Sequence, residues 1–403
     1  MLGVSLSQLL GQSEVSAFLK GVVASGRFAN AYLFHGPAGV GKCTAALSFA
    51  RAMLCERVAG AAPAAADLFA PAGAPPASAP LDDACGACGA CGRSAALQHP
   101  DLRFLFPVSG EEKVLENTVI ETIAALRADP LFVFTYEKAA SIRMSLTREV
   151  LREMAYKPFE AARRVVVVRD ADRMREDQYS AMLKSIEEPG ASTVWILTTA
   201  RLARLPATIR SRCQRVRFAP LGEPLVREFL KERVALPERE ARMLAALSSG
   251  SLARALALRE AKPEPIELRN QALALLEPAL RGEPAALWKA IQAFNRFGRV
   301  GREGMRLVIE FHQLWLRDLL RARYGAPRED LVHRDREDEI RKLAAGVNAA
   351  EIRRRLLVLE EMLRAIEGNV TPDLALFSGL SRVAGERLGE GEWPRAATAR
   401  WDY

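Results

Sequence analysis

A short apolar run, Ala31-Tyr32-Leu33-Phe34-His35, leads directly into Gly36-Pro37-Ala38-Gly39-Val40-Gly41-Lys42-Cys43 and then into an alanine-rich stretch from Thr44 to Leu54. Strand, glycine loop and helix in that order make a phosphate-binding loop credible. The glycines let successive backbone N–H groups face an anion at a helix N-terminus. Such a unit needs a parallel sheet to seat it. Leu102–Phe106, Arg164–Val168 and Thr193–Thr199 read as further strands, the last two apolar enough to be buried on both faces. Between them, Ile142, Leu146, Val150, Leu151 and Met154 keep helical spacing, and Gln178 to Glu188 reads as a helix closed by Pro189-Gly190. The N-terminal half is therefore α/β with a parallel sheet.

Lys42 is placed to reach β- and γ-phosphates. The next residue ordinarily offers Mg²⁺ a hydroxyl; here it is Cys43, a soft donor for a hard cation. Thr44 carries its hydroxyl one position late, about 100° around the helix. The strand at 165–168 should end in a metal-holding carboxylate, yet it runs into Arg169-Asp170-Ala171-Asp172. An arginine there sets like charge beside the cation. Gly36, Gly39, Gly41, Lys42, Cys43 and Thr44 are candidate contacts for ATP, and hydrolysis is not expected.

Cys85, Cys88 and Cys91 form a C-x₂-C-x₂-C cluster, with Cys55 as the inferred fourth ligand of a closed, structural Zn²⁺ site. Of the other two thiols, Cys43 lies in the glycine loop and Cys213 in a separate motif. The intervening segment 56–84, biased to Ala, Pro and Gly, reads as a flexible excursion and does not oppose the site. Doubling a loop costs about 0.6 kcal/mol, against roughly 10–16 kcal/mol from a structural zinc. No signal peptide is evident, and no run approaches the roughly 18 apolar residues of a membrane span. With clustered reduced thiols, this makes the cytoplasm the expected location.

The net charge of +8 suits work beside nucleic acid, although the basic residues are dispersed. Beyond Pro220 the strands stop. Residues 221–262 read as short helices broken by Gly250-Ser251, and 266–385 as mostly helical. Ile352, Leu356, Leu359, Leu363 and Ile366 alternate steps of four and three, a seam for packing on another helix. Residues 108–140 show no clean periodicity and are expected to be a partly disordered insertion. The tail, with Trp393 and Trp401, is expected to be poorly ordered. Ser211-Arg212-Cys213 follows a helix start at Leu205–Ile209. An arginine there is either a surface residue of a basic stretch or a finger aimed at a neighbour's nucleotide.

Taken together, Ala31–Lys42, the cysteine cluster, His99-Pro100-Asp101, Leu183-Lys184-Ser185-Ile186-Glu187-Glu188-Pro189, Leu205–Cys213, Gly250-Ser251 and Asn369-Val370-Thr371-Pro372 resemble bacterial clamp-loader AAA+ subunits of DNA polymerase III. The resemblance implies a five-subunit ring, with delta and tau/gamma partners, that opens the sliding clamp and loads it on primer–template DNA. Each ATP site in such a ring is completed by a neighbour's Ser-Arg-Cys arginine, which carries over to Arg212. Thr198 and Thr199 fall in the sensor 1 region. The sensor 2 pattern Gly-Ser-x-Arg appears as Gly250-Ser251-Leu252-Ala253, with Arg254 displaced by one. With Cys43 and Arg169, that makes three departures at the chain's own site and none at the finger. This is similar to the delta prime type of subunit, a stator that lends an arginine without being a motor.

The resemblance further implies an AAA+ domain at 1–217 with a zinc module at 55–91, a helical lid at 218–262, a helical collar at 266–385 and a tail at 386–403. Two rival readings stay open. A tau/gamma-type motor would need an intact magnesium-binding Asp and sensor 2 Arg. A stand-alone zinc-containing DNA-binding protein would bind DNA tightly and salt-dependently by itself.

Overall fold

Five parallel strands organise the N-terminal unit: β1 (Ala31–His35), β2 (Leu102–Leu105), β3 (Arg164–Val168), β4 (Thr193–Thr199) and β5 (Gln214–Arg217). Their spatial order is β2-β3-β4-β1-β5. The computed structural model describes residues 4–60, 81–109, 115–129, 132–134, 140–154, 156–187, 193–260, 265–297, 302–367 and 370–383. Glu188, Pro189, Gly190, Asn369, most of the 56–84 excursion, parts of 108–140 and the tail lie outside the described residues. The chain divides into two compact units, 1–260 and 261–403.

Strand alternation sorts the core into two layers. Tyr32, Phe34, Val165, Val167, Val194 and Ile196 face one way, packed with α1 (Ser13–Ser25) and α2 (Lys42–Leu54). Ala31, Leu33, Val166, Val168, Trp195 and Leu197 face the other. On that side, after the one-turn α3 (Glu56–Gly60), α4 (Gly89–Ala95) and α5 (Leu115–Ala128), lie α6 (Met144–Glu153), α7 (Glu176–Glu187) and α8 (Ala207–Arg212). All residues of β3 and β4 are buried, in keeping with their apolar runs Val165–Val168 and Val194–Leu197.

β5 is an edge strand paired to β1 alone, Val216 opposite Phe34. Only Val216 of its four residues is buried, so no apolar run marks it in the sequence. Within 108–140, where the sequence shows no clean periodicity, the described part holds a packed helix. Helix α5 carries Val119 and Ile123 against Phe106, Val108 and Phe134, and Leu126 is fully buried. An antiparallel bridge between Val108 and Ser141 closes this segment.

Three helices complete the first unit: α9 (Glu223–Val234), α10 (Glu238–Ser248) and α11 (Leu252–Arg259). The second unit is helical: α12 (Pro265–Ala274), α13 (Leu276–Arg281), α14 (Pro284–Phe297), α15 (Arg302–Arg323), α16 (Glu337–Gly346), α17 (Ala349–Glu367) and α18 (Pro372–Val383). In α17 the seam residues Ile352, Leu359 and Ile366 are buried and Leu356 and Leu363 half-buried, packing the helix against α15 and α18.

Candidate functional site

Because the strands are parallel and β1 neighbours β4, which neighbours β3, the segments leaving these three strands meet at one end of the sheet. There the glycine loop meets Arg169-Asp170 and Thr198-Thr199. Gly41 caps α2 in the left-handed conformation, and Gly39 is left-handed too. The Lys42 ammonium turns back onto its own loop, donating to the carbonyls of Gly36 (2.8 Å) and Pro37. Burial brings Lys42 down to about 8; Asp170 opposes that fall and Arg169 adds to it.

Cys43 is buried, and burial raises its thiol against the pull of a hydrogen-bonded Arg169. The Arg169 guanidinium stacks 3.9 Å from the Phe134 ring centroid and pairs with Asp170 at 3.2 Å. A fixed cation therefore sits beside the residue that would ligate magnesium. Asp170 itself is left-handed (φ 48°), and its N–H donates to Thr198 Oγ1 at 3.2 Å. Thr199 Oγ1 donates to Asp172 Oδ1 at 2.6 Å. The remaining acid is thus tied to β4.

The helical part of the first unit reaches this loop. Ser251 caps α11, and the N–H groups of Leu252 and Ala253 donate to the Gly39 carbonyl at 3.0 and 3.4 Å. Thr44 is half-buried on α2. Gly36, Gly39, Gly41, Lys42, Cys43 and Thr44 lie together in this loop and the start of α2, with Arg169 beside Cys43.

Cys55, Cys85, Cys88 and Cys91 converge, all four Sγ atoms lying within 4.8 Å of one another. Cys55 caps the C-terminus of α2 and Cys88 the N-terminus of α4. The Cys55–Cys88 and Cys85–Cys91 sulfurs are each 3.9 Å apart. Four thiolates about 2.3 Å from one ion stand about 3.8 Å apart in a regular tetrahedron, so the donor set and its spacing fit a metal. Backbone N–H groups of Cys85 and Cys91 donate to the sulfurs of Cys55 and Cys88 at 3.4 Å. The cluster could hold a metal ion with no coordination position left open.

Arg212 ends α8, which Ile209 and Leu205 anchor in the core. Its guanidinium is part-exposed and ion-paired with Glu187 at the end of α7. Cys213 is a core residue, its thiol pushed up to about 12 by burial. His99-Pro100-Asp101 is structural. The buried Asp101 carboxylate accepts the N–H groups of Phe159 (2.6 Å), Glu160 (2.9 Å) and Ala161 (2.9 Å), fixing the turn into β3.

A strand–loop–helix phosphate motif on a parallel sheet, a four-cysteine cluster at the end of the same helix and an exposed terminal arginine define a P-loop protein of the AAA+ kind. Residues 11–68 and 73–222, more than half of the chain, match the family described as DNA polymerase III, delta subunit, and the chain belongs to that family. Among its relatives, a DNA polymerase III subunit delta prime from Bacillus subtilis is 24% identical over 359 residues, 89% of this chain and 92% of that protein. A delta prime subunit from Pseudomonas aeruginosa is 31% identical over 226 residues, 55% of this chain and 53% of that protein. A tau subunit from Bacillus subtilis is 24% identical over 255 residues, 62% of this chain but only 36% of that longer protein. Among the described residues, no helix is long and apolar enough to cross a membrane.

Proposed function

We propose that this chain is a delta prime-type stator of the replicative clamp loader. It assembles with delta and tau/gamma subunits in a five-membered ring, helps load the sliding clamp on primer–template DNA, and lends Arg212 to a neighbour's ATP site. The observation that carries the reading is the half-buried Arg169 guanidinium hydrogen-bonded to Cys43 beside Lys42. A guanidinium there repels the magnesium that phosphoryl transfer requires, so the loop is expected to bind ATP passively at most. In this reading, 1–217 is the AAA+ domain, 218–262 the lid and 266–385 the collar that joins the ring.

We further propose that Zn²⁺ is the metal of Cys55, Cys85, Cys88 and Cys91. When bound, it supplies structural cross-linking rather than catalysis. The cysteines fasten the end of α2 to the turn before α4. Asp83 of the same module accepts from the Ser7 backbone at 3.2 Å, tying it to the N-terminal segment.

The similarity to tau subunits favours a second reading, an ATP-hydrolysing motor. ATP turnover by the isolated chain separates the two. The stator reading expects none, together with stoichiometric assembly when delta and tau/gamma subunits are added. Turnover that vanishes in Lys42→Ala would establish the motor instead.

A further inference from the structure

Glu187, in the Leu183–Glu187 stretch, has no role in the function described so far. It is the last residue of α7, half-exposed, while Ile186 beside it is buried in the same core cluster as Ile209 of α8. That shared core sets the ends of α7 and α8 side by side. Across the gap, Glu187 Oε1 forms an ion pair with Arg212 Nε. Arg212 Nη1 donates to the Thr208 carbonyl at 3.1 Å and to Ser211 Oγ at 3.4 Å. Nη2 has no partner among the described residues. The inner edge of the guanidinium is thus fastened to its own chain, and one outer nitrogen is left to donate elsewhere.

We propose that Glu187 is the positioning residue of the finger, an inference that rests on the reading of Arg212 given above. A free arginine samples many rotamers, and its fork is useful only when already aimed. The Glu187 carboxylate selects the rotamer in which Nη2 faces outward, so a phosphate on a neighbouring subunit meets a guanidinium already set. The pair is surface-exposed, so its effect is modest. Removing Glu187 should lower turnover by about 5-fold, far less than the roughly 10³–10⁵-fold of a lost finger.

The test is DNA-stimulated ATP turnover of the reconstituted loader with Glu187→Ala, Glu187→Gln, Arg212→Ala and the Glu187→Ala/Arg212→Ala double variant in this subunit. Melting of each free variant by circular dichroism serves as the folding control. The expected result is a kcat about 5-fold lower for Glu187→Ala with KM unchanged. Glu187→Gln keeps the side chain's length but not its charge and should recover only part of the rate. The double variant should be no slower than Arg212→Ala, because Glu187 acts only through the arginine. Wild-type or faster turnover in Glu187→Ala, with Arg212→Ala still defective, would overturn the positioning role alone; so would a double variant slower than Arg212→Ala. Full activity in Arg212→Ala would remove the finger and its positioner together.

Discussion

The contact between the glycine loop and α11 can be probed by two alanines two residues apart. Gly39 has φ +73°, and a Cβ there would lie 2.2 Å from Ser251 Oγ, 2.8 Å from Ala253 Cβ and 3.2 Å from Ala253 N. Gly41 has φ +96° and nothing within 4 Å of a Cβ. Both substitutions incur the left-handed backbone penalty, about 1–2 kcal/mol. Only Gly39→Ala also displaces the first turn of α11, whose Leu252 and Ala253 N–H groups bond the Gly39 carbonyl. The serine hydroxyl can rotate away, whereas the Ala253 backbone cannot. Two backbone hydrogen bonds at about 0.5–1.5 kcal/mol each give about 1–3 kcal/mol, or roughly 5- to 150-fold in local opening. Hydrogen exchange of amides 252–259 in the full chain reads this directly. Gly39→Ala should exchange faster there than Gly41→Ala by that factor, with β3 and β4 unaffected in both. Equal exchange in the two variants would refute the loop-to-helix coupling.

Other parts of the molecule make further demands. Metal analysis of the purified chain should find about one zinc per chain, and Cys88→Ser should lose the metal and become protease-sensitive around 81–105; a metal-free wild type contradicts the site. His312 is fully buried and its Nε2 bonds the Ala272 carbonyl at 2.7 Å. Burial lowers it from 6.5 to about 4, partly offset by that bond. The folded state therefore favours the neutral ring: stability is complete above pH 6.5 and falls as pH drops toward 4. By pH 5 the loss is about 2 kcal/mol, which urea unfolding should show in wild type and not in His312→Gln; parallel pH profiles would contradict it. Asp101→Ala removes the acceptor of three backbone N–H groups. It should cost about 3 kcal/mol in unfolding free energy, and a variant as stable as wild type would show that the turn holds without it.

The sequence displays what depends on local composition. Valines and isoleucines at 165–168 and 193–199 announce buried parallel strands, the glycines announce the loop, and three closely spaced cysteines announce the metal cluster. β5 stays hidden because Gln214, Arg215 and Arg217 are exposed on an edge and only Val216 is buried. Helix α5 was in principle visible at Val119, Ile123 and Leu126, spaced by four and three, but the surrounding irregular segment masks it. Contacts between distant segments leave no local trace. Nothing in the chain's order shows that Phe134 of the insertion lies against Arg169, or that Glu187 meets Arg212. The His99-Pro100-Asp101 motif shows the same limit: its residues stand out, while their task of bonding a turn almost sixty residues onward appears only in three dimensions.

The stator account is tested most directly by DNA-stimulated ATP turnover of the reconstituted loader, with this subunit supplied as wild type, Arg212→Ala or Lys42→Ala. It predicts a large loss with Arg212→Ala and the wild-type rate with Lys42→Ala. A comparable loss with Lys42→Ala would mean that the chain's own nucleotide loop drives turnover, and would contradict it.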